Sequence, residues 1–90
     1  MDTQEIKLES PFETSGRKIE AVTVRSCKVG DLRMTIKRAE DLEDFPTFLK
    51  LTSHMTGLTP EELDNIDMRD WSKVTKAVNH FLGFAHQQAV

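Results

Sequence analysis

The 90-residue sequence predicts an α+β fold, an N-terminal β-hairpin packed against three to four α-helices. Two observations carry that prediction. Residues 5–25 hold two β-prone segments separated by turn residues. From residue 31 to residue 88, apolar residues recur at helical spacing, punctuated by proline, glycine and N-cap residues. Residues 1–90 are read as one domain, because the length and the scarcity of Gly and Pro leave no room for a linker.

The hairpin comes first. Glu5-Ile6-Lys7-Leu8 alternates, so Ile6 and Leu8 share a face. Lys18–Arg25 is rich in β-branched residues, with Ile19, Ala21 and Thr23 on one face and Val22 and Val24 on the other. Ser10-Pro11 and Thr14-Ser15-Gly16-Arg17 carry turn chemistry, so a longer loop is expected between the strands. A lone two-stranded hairpin is marginal in water and must pack on something.

Gly30-Asp31-Leu32 ends the strand region, with Asp31 as the expected N-cap and Leu32, Ile36 and Ala39 on one helical face. That helix should stop near Glu40–Asp44. Pro46 suits only a first helical turn, and Phe45, Phe48, Leu49, Thr52 and Met55 follow at helical spacing up to Gly57, the expected left-handed stop. Thr59-Pro60-Glu61-Glu62 has the pattern of a capping box with proline at the first position, opening a short helix that carries Leu63 and Ile66. Asp67 is a second N-cap, and Asp70 adds a carboxylate to the first turn of the last helix, expected from about Met68 to about Gln87.

On that last helix Trp71, Val74, Thr75, Val78, Leu82 and Ala85 form one stripe. Ala77, Phe81 and Phe84 form a second, roughly 80–140° from the centre of the first. A monomer's surface helix needs one apolar stripe of about 100°. Ala77, Phe81 and Phe84 therefore either meet a further element of the fold or offer a contact surface to another protein.

Composition excludes several classes. The charge of -3 is mildly acidic and comes largely from Glu61, Glu62, Asp64, Asp67 and Asp70, which speaks against a general nucleic-acid binder. No run approaches about 18 apolar residues, so no membrane span is expected. Met1–Glu5 has neither a basic patch nor an apolar run, so a signal peptide is not expected either. Cys27 is the only cysteine, and a cytoplasmic protein without disulfides is the default.

Candidate chemistry is thin. Cys27 has only Lys28 as a basic neighbour and reads as an inert thiol. His80 and His86 point about 120° apart on a helix, so they do not form a metal pair. Asp64, Asn65, Asp67 and Asp70 lack the glycine and the final glutamate of a calcium loop. The glycines are scattered and form no phosphate loop. No catalytic, cofactor-binding or metal residues are assigned, and an enzyme is not expected. A helix-turn-helix over 44–66 would bring Glu61, Glu62 and Asp64 against phosphates, which is repulsive.

The order of these motifs resembles one family. A hairpin ending in Val22-Thr23-Val24-Arg25 leads to Gly30-Asp31-Leu32, and Thr56-Gly57-Leu58-Thr59-Pro60-Glu61-Glu62-Leu63-Asp64 leads through Asp67 to Asp70-Trp71. Over about residues 5–84 this resembles the small tail assembly chaperones of long-tailed phages, the Mu-like tail assembly protein E family. Trp71 stands where that family often has tyrosine, Ile66 where it often has leucine, and the proline often seen before Gly-Asp-Leu is missing. The motif residues that match are Gly30, Asp31, Leu32, Gly57, Thr59, Pro60, Leu63, Asp67, Asp70 and Trp71.

The resemblance implies a non-enzymatic assembly factor that binds the tape measure protein and keeps it soluble until tail tube subunits polymerise around it. It further implies a host-cytoplasmic protein absent from the mature virion. A frameshifted longer form and a homo-oligomer are the other expected partners. The alternatives are a small DNA-binding regulator and a minor structural protein of the tail.

Overall fold

A computed structural model describes residues 3–83. It contains β1 (Thr3–Thr14), β2 (Arg17–Arg25), α1 (Val29–Thr35), a 3-10 turn (Ala39–Glu43), α2 (Phe45–Thr56), α3 (Pro60–Leu63) and α4 (Met68–Phe81). This is the expected α+β arrangement, a hairpin followed by four helices.

The hairpin is longer and its turn tighter than the sequence suggested. Only Ser15 and Gly16 lie between the strands, with φ of 51° and 78°. Positive φ at both central residues is what a two-residue type I′ turn demands. The turn signal at Ser10-Pro11 marks a different feature. Pairing is regular from Thr3↔Arg25 to Lys7↔Ala21 and resumes only at Phe12↔Ile19. Residues 8–11 of β1 therefore oppose residue 20 alone, so Pro11 sits in a bulge, where its missing N–H breaks no ladder bond. The same irregularity lets Ile19 and Val22, of opposite parity along β2, both be buried.

Helix starts follow local chemistry with corrections. Lys28, not Asp31, occupies the N-cap of α1. Asp31 lies three residues later and accepts the Lys28 N–H at 2.9 Å. It also accepts both arms of the Arg25 guanidinium at 2.9 Å, so it ties the end of β2 to α1. α1 stops at Thr35, and Ile36 is extended. Ala39 therefore begins the separate 3-10 turn instead of continuing α1. α2 ends as expected, with Gly57 at φ 78° supplying the left-handed step that a side chain resists.

The core is one cluster built on the hairpin's inner face. Ile6, Leu8, Val22 and Val24 meet Leu51 and Met55 of α2, Leu63 and Ile66 around α3, and Val74, Ala77, Val78 and Leu82 of α4. Both α2 and α4 pack on the sheet. The buried residues of α2 are Leu51, Thr52 and Met55. Phe45, placed by its spacing on the same stripe, is instead 59% exposed. The stripe turns away from the sheet at the first turn, where α2 begins after the 3-10 turn.

Candidate functional site

The starts of α2 and α4 and the end of α3 converge on one apolar groove. Asp44 caps α2, accepting the Thr47 N–H at 3.1 Å and its hydroxyl at 2.7 Å. Pro46 follows in the first turn. Together they fix where α2 begins and leave Phe45 on the surface. Asp67 caps α4 by accepting the Arg69 N–H at 2.9 Å, which leaves Met68 at the first helical position, 74% exposed. Between these two walls lie Leu49, Leu63, Ile66 and Trp71, with Asp64 at the edge, around a volume of about 230 Å³. Phe45 and Phe48 each meet Trp71 edge-on, with ring centroids 6.2 Å apart. Edge-to-face contacts of this kind orient rings without burying them completely.

One carboxylate lines the groove and two more lie next to its lining residues in the chain. Asp44 and Asp67 immediately precede Phe45 and Met68, and Asp64 lines the groove itself. The Arg69 N–H, then its guanidinium at 3.2 Å, hold the Asp67 carboxyl below the ordinary range. The groove is apolar at its floor and negative at its edge. Its size suits one or two side chains of another protein rather than a small molecule enclosed on most sides.

Two further carboxylates brace the elements that form it. Asp70, with 0% exposure, accepts the Glu9 N–H at 2.9 Å and the Ser10 N–H at 3.0 Å. These are the bulge amides of β1, left without partners where strand pairing lapses. The two N–H groups, that of Glu9 foremost, hold the Asp70 carboxyl below its ordinary range. Lys73 lies 3.7 Å from the same carboxylate and 3.0 Å from Glu9. Glu62 accepts the Thr59 N–H at 3.0 Å while Thr59 Oγ1 accepts the Glu62 N–H at 3.1 Å, completing the capping box. The other Glu62 oxygen accepts from Thr14 Oγ1 and from Arg17, both at 3.2 Å. The tip of the hairpin is thus tied to α3 and its bulge to α4.

The motif residues fall into distinct places. Leu63 and Trp71 line the groove. Thr59, Pro60 and Asp67 start the helices beside it, and Gly57 ends α2. Asp70 is a tertiary clamp in addition to its first-turn position. Asp31 holds Arg25 away from the groove, and Leu32 packs against the core. At Gly30 a Cβ would meet nothing within 4 Å, so nothing in the structure requires glycine there.

The proposed contact ridge on α4 is placed differently. Ala77 is 3% exposed and belongs to the core, and it helps to line a groove of about 300 Å³ together with Gln4, Lys73, Lys76 and His80. Phe81 is half-buried against the core. Phe84 lies outside the described residues. The extra arc of apolar surface on α4 is used at Ala77 by the sheet, because α4 contacts both strands. Phe45 and Leu49 have the spacing of core residues, and Met68, an adaptable contact if exposed, is indeed on the surface. Phe45 and Met68 share one further sequence signal, since each directly follows an N-cap aspartate.

Other groups carry little chemistry. Burial, then the negative charge of Asp31, pushes the Cys27 thiol up, which opposes thiolate formation. Among the described residues, no group of three or more His, Cys, Asp and Glu is placed to hold a metal ion. No helix among them is long and apolar enough to cross a membrane.

The described residues thus form a small α+β scaffold with an open, mainly apolar groove beside the starts of α2 and α4. Residues 5–83 match the family model described as phage tail assembly chaperone proteins, E, or 41 or 14. The chain belongs to the phage tail assembly chaperone family. No curated protein and no solved structure matches it.

Proposed function

We propose that this chaperone binds the tape measure protein of its phage and keeps it soluble, without chemistry of its own, until the tail tube forms around it. Family membership supports the assembly role. The single structural observation in favour of the client is the apolar groove bounded by Phe45 and Met68, two large side chains that a monomer gains nothing by exposing. A tape measure protein is a long, largely helical rod, and its apolar stripes need cover before assembly. Recognition through side-chain anchors in a groove suits such a client. On this reading the protein works in the host cytoplasm and is absent from the finished virion.

Co-expression with the tape measure protein encoded by the same phage tests this. The expected result is co-purification and a higher soluble yield of the tape measure protein. No co-purification together with no gain in soluble yield overturns it, as does recovery of this chain as a constituent of purified virions.

A further inference from the structure

We infer that the groove between α2, α3 and α4 docks a helical client segment whose apolar anchors are flanked by lysine or arginine. This rests on the chaperone reading above and adds the chemistry of the segment it takes.

The backbone around the groove decides the mode of binding. Its lining comes from helices and the short connection after α3. Among the described residues, none that lines it belongs to a strand, so a client seated in it does not extend a strand edge. Recognition must run through side chains, which is how an amphipathic helix enters a groove, with anchors at i, i+3 or i+4 and i+7. Met68 is unbranched and adaptable, and Trp71 supplies a broad flat contact.

Charge decides what flanks the anchors. Asp64 lines the groove, and Asp44 and Asp67 directly precede the lining residues Phe45 and Met68. Among the described residues, the cations beside its lining are Arg69, which Asp67 engages at 3.2 Å, and Lys50. An acidic segment would meet these carboxylates and be repelled, whereas lysine or arginine on either side of the anchors would be attracted.

The test uses three synthetic 18-residue helical peptides with the full-length protein. One carries Leu anchors at helical spacing flanked by Lys. The second has Glu at each Lys position, and the third has Ala at each Leu position. The Lys-flanked peptide should bind about tenfold or more tightly than either of the others, and its affinity should fall as salt is raised.

Two variants locate the site. Phe45→Ser with Met68→Ser removes two exposed walls and should weaken the Lys-flanked peptide about tenfold. Asp44→Asn, Asp64→Asn and Asp67→Asn together remove charge while leaving side chains that still cap helices. That variant should keep its melting temperature and bind the Lys- and Glu-flanked peptides to within a fewfold of each other. Equal affinity of the wild type for these two peptides overturns the inference. So does undiminished binding by the Phe45/Met68 variant, or a concentration-dependent dimer that this variant abolishes.

The tape measure protein itself separates the two readings. If the wild type and the Phe45/Met68 variant both hold it in solution, the chaperone reading stands and the groove fails. If the wild type does not hold it, the chaperone reading fails.

Discussion

The carboxylate of Asp70 accepts the backbone N–H of Ser10 at 3.0 Å, across 60 residues of chain. Its other oxygen takes the N–H of Glu9. A bulge in an otherwise paired strand leaves amides that must find an acceptor or be solvated. One buried side chain of α4 supplies both oxygens, and so fixes where the hairpin meets the helix.

Asp70→Ala is therefore expected to be among the most damaging polar substitutions in the chain, because it leaves two amides of β1 without their acceptor. Its urea midpoint should fall well below that of the wild type, and the Glu9 and Ser10 amides should lose hydrogen-exchange protection. Asp70→Asn keeps one acceptor and turns a donor toward the other amide, so its midpoint should lie between the two. Wild-type protection at Glu9 and Ser10 in Asp70→Ala would show that the clamp is dispensable.

Stability should depend on pH through Asp31. The Arg25 guanidinium, bonded to both of its oxygens, is the main reason that its carboxyl is lowered from 3.8 to about 2. A carboxyl lowered in the folded state binds its proton more readily when unfolded, so it contributes stability above pH about 4 and loses it as pH falls toward 2. The contribution is at most about 2 kcal/mol. Asp31→Asn should be less stable than the wild type at neutral pH, and the gap should close between pH about 4 and about 2. Urea titrations of both proteins across that window check this, and a gap that does not change with pH would count against the ion pair.

Leu51 and Phe45 share α2 but should lose very different amounts of stability on truncation. Leu51 is 0% exposed in the core, so Leu51→Ala should cost about 2–5 kcal/mol. Phe45 is largely exposed and meets only the edge of Trp71 on the groove side, so Phe45→Ala should cost less than about 1 kcal/mol. Paired denaturation curves decide the matter. Similar losses at both positions would mean that Phe45 is part of the core.

The hairpin turn offers a stabilising change. Ser15 stands at φ 51°, a conformation that asparagine tolerates better than serine. Ser15→Asn creates the preferred dipeptide for a two-residue turn with Gly16, and should raise stability by about 0.5 kcal/mol, seen as a small increase in melting temperature. A decrease would indicate that the turn is not of this type.

Helix starts were the most legible part of the chain. Thr59-Pro60 and Asp67 act within a few residues of themselves, so their capping bonds follow from local spacing. Gly57 is equally local. Asp31 was misplaced because a carboxylate three residues into a helix and one at the N-cap leave the same mark on a sequence, while its real partner, Arg25, lies on β2. Ser10-Pro11 looks like part of a loop in the sequence, because turn residues and bulge residues are the same kinds of residue. The groove was hardly legible. Leu63 and Trp71 carried the family pattern, but Phe45 looked like core by its period.

By itself the sequence determined the α+β class, the order of hairpin and helices, the family, and the places where most helices begin, because each depends on short-range pattern. Tertiary structure alone decided how the acidic run is divided. Glu62 and Asp70 turn inward to hold the hairpin, while Asp64 lines the groove and Asp67 caps α4. It also decided which apolar residues stay exposed. A side chain is buried only if some distant element arrives to cover it, and the sheet arrives at Ala77 while, among the described residues, no element covers Phe45 or Met68.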